Sequence, residues 1–273
     1  MLSILNSVSS LNAENAISNT TSALNKDLQQ LSTGLRINSG SDDAAGLSIA
    51  NGLQANVAAL TQSSQNTADG VGMLQTADGA LSQVVTLLNR AVTLATEASN
   101  GGLSASQATA IQTEYTSIQT EINNIGTTTD FNGTAVFGSA GSVFTSDGTT
   151  AGSKSISDAV AALSSAGLGL TAGGTALTTT AGAQAELALI TTAIGTVAGD
   201  RGTIGATVNQ LNASQSVEGT EVTNLTSAVN SIQNADIGQV VAQMTQNSVL
   251  EQTGMAALSQ SNQIQQNVLK LLQ

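Results

Sequence analysis

Few residues in this chain have the types and spacing that chemistry needs. Asp42 and Asp43 are adjacent carboxylates, the start of a metal site or of an acid/base pair. Neighbouring side chains diverge at a helix start, and no third ligand lies nearby. The pair reads instead as an N-cap followed by a helix first turn. Gly167-Leu168-Gly169-Leu170-Thr171-Ala172 matches the phosphate-cradling pattern G-x-G-x-x-A. It sits in a Gly/Ala/Ser tract without the strand and helix that a dinucleotide site requires, so it carries no nucleotide role. Arg90 and Arg201 are isolated cations. Either they meet ligands or they pair with acids across helices; the sequence leaves both readings open. The abundant Ser and Thr fit glycosylation as well as they fit solvated loops.

The absences are more decisive. There is no His, Cys, Pro or Trp, with one Tyr and three Phe. Without Cys there is no disulfide framework and no thiol chemistry. Without His, the commonest metal ligand and general base is missing, and Ser-His-Asp or Cys-His machinery is excluded. Residues 138–183 offer only Asp147, Asp158 and Lys154 as charges. The sequence predicts no enzyme, no cofactor and no metal.

What remains is elements that position one another. The chain has 273 residues and 40% apolar side chains, with Ala heavily represented. Leu, Ile, Val and Phe make up about a quarter. Ala buries little area, so the core is thin and suits packed helices. Zero Pro leaves long helices unbroken.

The net charge is −12, from six basic and eighteen acidic residues. Such a chain is repelled by phosphates and anionic lipid, so neither nucleic acid nor membrane insertion is expected. No stretch reaches 18 apolar residues, which predicts no transmembrane helix. Met1-Leu2-Ser3-Ile4-Leu5-Asn6 lacks a basic region before its apolar residues, so no cleaved secretory signal is expected. Residues 1–40 and 237–273 each sum to zero charge, and all the excess acid lies between them. Neutral amphipathic ends suit burial against a partner; the acidic middle suits water.

Heptads organise the chain. A 4-3 spacing runs Leu60, Ser64, Thr67, Val71, Leu74, Asp78, Leu81, Val85, Leu88, Val92, Ala95. A second run is Ile111, Tyr115, Ile118, Ile122, Ile125. A third is Ile194, Val197, Arg201, Ile204, Val208, Leu211, Gln215, Glu218, Val222, Leu225, Val229, Ile232. Leu24, Leu28, Leu31 and Leu35 repeat the pattern near the start. Val240, Met244, Leu258, Leu269 and Leu272 carry it more loosely near the end. A sustained 3.5-residue period means helices that wind around one another.

Ser39-Gly40-Ser41 is expected to end the first helical stretch. Asn100-Gly101-Gly102 closes the second and Gly126-Thr127-Thr128-Thr129 the third. Residues 127–183 are Gly/Thr/Ser/Ala-rich and lack heptads. There Thr134–Phe137 and Ser142–Thr145 read as short strands, and Ile156–Leu163 as a short helix. From Gln184 the helical pattern resumes and runs to the end. The predicted class is mainly α. Long heptad-patterned helices from both chain ends pack as a coiled-coil bundle, with a small β-hairpin and loop-rich outer segment.

The run Leu31-Ser32-Thr33-Gly34-Leu35-Arg36-Ile37-Asn38-Ser39-Gly40-Ser41-Asp42-Asp43-Ala44-Ala45-Gly46 resembles the N-terminal signature of bacterial flagellins. Gln266-Asn267-Val268-Leu269-Lys270-Leu271-Leu272 resembles their tail. Between them, Asn66-Thr67-Ala68-Asp69-Gly70, Asp130-Phe131-Asn132-Gly133, Arg201-Gly202-Thr203-Ile204-Gly205-Ala206 and Ile232-Gln233-Asn234-Ala235-Asp236 fall in that family's order. The resemblance covers about 1–137 and 184–273.

The resemblance implies a structural subunit that polymerises head-to-tail into an extracellular flagellar filament used for swimming, exported without a cleaved signal. It implies three regions. Residues 1–42 with 232–273 are terminal helices, disordered in the monomer, that line an inner tube. Residues 43–137 with 184–231 form a central core in an outer tube, and 138–183 is a short variable surface segment. The implied partners are other copies of the chain, the flagellar export apparatus, an export chaperone, and filament cap and junction proteins. An animal Toll-like receptor is a further implied partner. For it the family pattern L-Q-R-[IV]-R-[DE]-L-A-V-Q maps onto Leu88, Arg90, Leu94 and Ala95, with Glu114 as partner acid. Arg90 and Leu94, one turn apart, are expected to share a face. Val92 and Thr93 depart from the pattern, where the family carries charge. The same end patterns also fit a hook–filament junction protein. The heptads alone fit an unrelated coiled-coil surface adhesin.

Overall fold

The computed structural model describes residues 8–139, 141–149, 152–170 and 176–271. Five helices and four short strands follow in chain order. They are α1 (Val8–Thr33), α2 (Ala44–Ala98), α3 (Ala105–Thr128), β1 (Asp130–Phe131), β2 (Thr134–Ala135), β3 (Ser142–Thr145), β4 (Lys154–Ser157), α4 (Thr180–Gln233) and α5 (Ile237–Leu271). The chain divides into two compact units, one of residues 1–55 and 224–273 and one of residues 56–223.

Within 56–223 the heptads hold. Every position of the Leu60–Ala95, Ile111–Ile125 and Ile194–Val222 runs is buried or half-buried. Leu74, Leu81 and Leu88 of α2, Tyr115 and Ile122 of α3, and Ile190, Val197 and Leu211 of α4 are almost fully buried together. Several polar positions in the seam find partners, while Thr67 Oγ1 and Glu218 Oε2 stay buried without one. Arg201 pairs with Asp78 (Nε–Oδ1 2.7 Å), joining α4 to α2. The Tyr115 hydroxyl donates to Glu186 of α4 at 2.5 Å, both side chains being buried. Ser63 donates to Glu218 at 2.8 Å. The isolated arginine Arg201 is thus an interhelical ion-pairing residue.

The capping logic reads well from the sequence. Asp43 Oδ1 accepts from the Gly46 amide at 2.8 Å and opens α2. Ser104 and Gln107 form a full capping box at α3. Asp236 Oδ1 accepts from Gln239 N and starts α5.

Four expectations need correction. The first helix ends at Thr33, not at Ser39-Gly40-Ser41. Gly34 adopts φ +72° and returns its amide to Gln30 O at 2.8 Å, an αL cap that L residues resist. The C-terminal helical run is not continuous. It breaks at 234–236, where Asn234 bridges to Leu35. Ile156–Leu163 is not a helix. Residues 154–157 pair with β3, Val160 bridges to Phe137, and Leu163 lies so close to Gly126 that any side chain there would strike its carbonyl. Finally, the segment 138–183 is not merely a solvated excursion. Val143, Ile156, Val160, Leu163, Leu168, Leu170 and Leu177 are buried in the core of 56–223.

β1 and β2 are joined by Asn132-Gly133, both at positive φ (52° and 76°), the two-residue hairpin turn that favours Asn-Gly. Gly167–Ala172 begins as a turn around Gly169 (φ +76°), without strand or helix context; its last two residues lie outside the described residues. By length and composition α4 does contain a window apolar enough to cross a membrane, with mean hydropathy 1.2. Ala, Leu, Ile and Val produce that value, and the Gly and Thr among them interrupt any continuous apolar run.

Candidate assembly site

α1 and α5 lie antiparallel over one another within the unit of residues 1–55 and 224–273. Their contacts pair early with late positions. Ser10 meets Ser261 (3.0 Å) and Gln265 (3.3 Å), Thr21 donates to Glu251 (3.2 Å), and Asn247 Nδ2 donates to Asp27 Oδ2 (2.7 Å). Gly254 lets Ile17 approach so closely that an added Cβ would sit 2.9 Å from its Cγ1. The seam is therefore small and polar where Ile17, Leu24, Leu31, Val240, Met244 and Leu258 do not fill it. Leu24, Leu31, Met244 and Leu258 are half-buried and Val240 is buried.

The phase of α1 differs by one residue from the sequence expectation. Leu28 is 47% exposed, whereas Asp27 is buried. The inward row is Leu24, Asp27, Leu31. A carboxylate takes the inner position because Asn247 stands opposite to satisfy it. Leu35 lies beyond the helix, half-buried in the bridge to Asn234. Leu272 lies outside the described residues, as does the side chain of Leu269.

Where α1 ends and α5 begins, two chain breaks are tied together. Arg36 N donates to Gln233 O (2.6 Å) and Ala235 N to Gly34 O (2.9 Å). Arg36 Nη2 donates to Ile232 O (2.9 Å), and Gln30 Nε2 to Arg36 O. Asp42 closes the corner. Its carboxylate accepts from Lys26 (2.9 Å) and from the Asn38 and Ser39 amides. The Lys26 hydrogen bond, with those amides, holds the Asp42 pKa down to about 2.

Large hydrophobic side chains are exposed on the outer faces of the pair. Nine of the thirteen exposed large hydrophobic side chains among the described residues lie on α1 and α5, among them Leu11, Leu28, Val249, Leu250, Met255 and Ile264. Charge there is sparse, with only Glu14, Lys26, Asp27, Glu251 and Lys270 on the two helices.

The residues implied as a receptor contact lie in the other unit. Arg90 and Glu114 form a two-pronged pair between α2 and α3, Nε–Oε1 2.6 Å and Nη2–Oε2 3.0 Å, with both side chains about half exposed. The pair raises the arginine pKa and lowers the Glu114 pKa. Leu88 and Leu94 do not share that surface. Each is no more than 1% exposed, packed into the core. The expected common face of Arg90 and Leu94 is thus divided, because Leu94 packs into the core with Ala91, Ala95 and Ala98. Of the implied residues, Arg90 and Glu114 are the exposed ones.

Asp27, Asn247 and Glu251 are seam residues that hydropathy does not mark. The available signal was their 3.5-residue phase relative to Leu24, Met244 and Leu258, outvoted by hydropathy.

Comparison with known proteins gives a consistent picture. The bacterial flagellin N-terminal helical region matches residues 4–142, and the bacterial flagellin C-terminal helical region matches residues 187–272. The chain is 49% identical over 75 residues to a flagellin of Bordetella bronchiseptica, 28% of this chain and 19% of that protein. It is 46% identical over 85 residues to a flagellin of Escherichia coli K12, 31% of this chain and 17% of that protein. The matched stretches thus span less than a fifth of these curated relatives. The crystal structure of Bacillus cereus flagellin is similar at 27% identity and TM-score 0.48, covering 56% of this chain and 88% of that chain.

Proposed function

Because the chain belongs to the bacterial flagellin family, we propose that it is the subunit of an extracellular flagellar filament, built by head-to-tail polymerisation and used for swimming. The observation that carries this reading is the α1–α5 pair. Its inner seam is closed by polar contacts, and its outer face presents most of the exposed large hydrophobic residues among the described ones. A face of that kind gains by covering itself with further copies. One surface meeting a different surface of the next copy does not close, so growth continues as a helix.

In this reading 1–42 and 232–273 face the filament's inside, 43–137 and 184–231 surround them, and part of 138–183 faces outward. The terminal helices order as they dock, so interface burial must offset that ordering entropy. Export without a cleaved signal, a chaperone, cap and junction proteins follow from the same reading. Recognition by an animal Toll-like receptor would rest on the Arg90–Glu114 pair alone, and so would be weaker than where flanking charges add to it.

The test is polymerisation of purified monomer, imaged by negative stain. Long filaments from the full chain, and none from a chain lacking 237–273 whose 56–223 unit still melts cooperatively, are expected. Filaments from the truncated chain would overturn the reading; so would a full chain that stops at a small oligomer.

A further inference from the structure

Two of the motifs singled out in the sequence meet at a place that assembly does not explain. Asn66, Asp69 and Gly70 of α2, and Phe131 and Asn132 of the β1–β2 turn, line one pocket of about 630 Å³. Met73, Ser142, Val143, Phe144 and Asp158 complete most of its wall.

Missing side chains build the pocket. A Cβ on Gly70 would fall 2.3 Å from Val143 Cγ2, and one on Gly72 would fall 3.1 Å from the Phe131 ring. The two hairpins can therefore lie directly on α2, with Asn66 Nδ2 holding the Phe144 carbonyl at 3.2 Å. Asp158 follows β4, its amide bonded to Gly141 O. The absence of a side chain on Gly141 leaves room for its carboxyl, since an added Cβ would sit 2.3 Å from Oδ1.

That carboxyl is the anomaly. Asp158 is only 7% exposed, yet its Oδ1 has no hydrogen-bond partner. Burial raises its pKa, outweighing a backbone hydrogen bond that lowers it. Asp69 lines the same space, and no Lys or Arg does. The two arginines of residues 56–223 are already committed to Asp78 and Glu114. Oδ1 itself is closed off against Gly141, so a partner can compensate the carboxylate only from the cavity side that Asp158 lines.

The wall composition selects the missing partner. Two aromatic rings, Phe131 and Phe144, and the Met73 thioether face the same cavity as two carboxylates. A cation over an aromatic face is favoured, and an ammonium group compensates carboxylates that have no cation beside them. The volume suits a small organic molecule and far exceeds a bare ion. Among the described residues there is also no cluster of three or more ligands that would hold a metal. We propose that this pocket binds a small molecule bearing a protonated amine. The ammonium group is held by Asp158 and Asp69, and its hydrocarbon part rests on Phe131, Phe144 and Met73.

The chain's three phenylalanines make the test direct. Full-length monomer labelled with 4-fluorophenylalanine gives three fluorine resonances. Phe131 and Phe144 report the pocket, and Phe137, buried elsewhere in the core, is the internal control. Titration with 2-phenylethylammonium chloride should shift the first two saturably and leave Phe137 in place. The neutral isostere 2-phenylethanol should shift them far less. Asp158→Asn and Asp69→Asn should each weaken amine binding at least about tenfold. Asp69 is exposed, so its variant decides the matter if Asp158→Asn does not fold. Equal binding of the alcohol, insensitivity to the folded variants, reproduction of the shifts by calcium chloride, or no saturable shift would each overturn the proposal.

Discussion

Asn247→Leu puts the terminal helix pair to its sharpest test. Asp27 is 7% exposed, and the Asn247 amide donates to it at 2.7 Å across 220 residues of chain. The substitution removes that donor and adds apolar bulk beside the buried carboxyl group. Losing a charge-assisted bond with a buried acceptor left behind costs about 1.5–3 kcal/mol. If α1–α5 docking accompanies subunit addition, the same cost enters the elongation equilibrium. The critical concentration for polymerisation should then rise about 10- to 150-fold. It is measured by pelleting polymer over a concentration series, with amide hydrogen exchange on α1 and α5 as a second readout. The double variant Asp27→Leu/Asn247→Leu replaces the whole pair by apolar side chains and should recover most of the loss. A single variant within twofold of the parent would refute the argument, and so would a double variant worse than the single.

Tyr115→Phe removes the donor to buried Glu186 and should lower the melting midpoint of the 56–223 unit by about 3–10 °C, read by circular dichroism; an unchanged midpoint would contradict a structural role for that bond. Asp42 titrates near 3.8 when unfolded and at about 2 when folded. Its contribution is complete above about pH 4 and is lost as pH falls toward 2. Asp42→Asn should accordingly reduce the acid sensitivity of hydrogen exchange at 34–46, and identical acid profiles would count against the corner as described. Replacing 138–183 by a Gly/Ser linker removes eight buried apolar side chains, Ala183 among them, on the order of 10 kcal/mol of burial, and should unfold the 56–223 unit. Cooperative melting near the parent temperature would show that these side chains are dispensable.

The helical seams were readable because they repeat. A 3.5-residue period is imposed by a neighbouring helix, and every residue of the three long runs is buried or half-buried in the fold. The misreadings share another cause. Leu28 outranks Asp27 on hydropathy, and only Asn247, distant in sequence, reverses the ranking. Ile156–Leu163 has helical spacing, yet its first two residues complete a hairpin with β3. The break at 234–236 carries neither Pro nor Gly. Asp236 starts the next helix there, and the strand-like bridge to Leu35 occupies the gap. Leu88 and Leu94 looked available to a partner because a family pattern names residues without saying which way they point. The amine pocket was invisible for a similar reason: its motifs lie about 60 residues apart, and glycines at 70 and 72 bring them together.

The 220-residue separation of Asp27 and Asn247 also sets an order of events. Closing a loop of that length from an open chain carries a large entropic cost. Gln54 and Gln233, hydrogen-bonded at 3.1 Å, lie further inward along the same two arms. Once they have met, the loop left to close between Asp27 and Asn247 shrinks to about 40 residues, and its closure costs about 1.5 kcal/mol less. Zippering therefore runs from the middle of the chain outward to its two ends. The terminal pair closes last and opens first, even though α1 is the first helix in the chain.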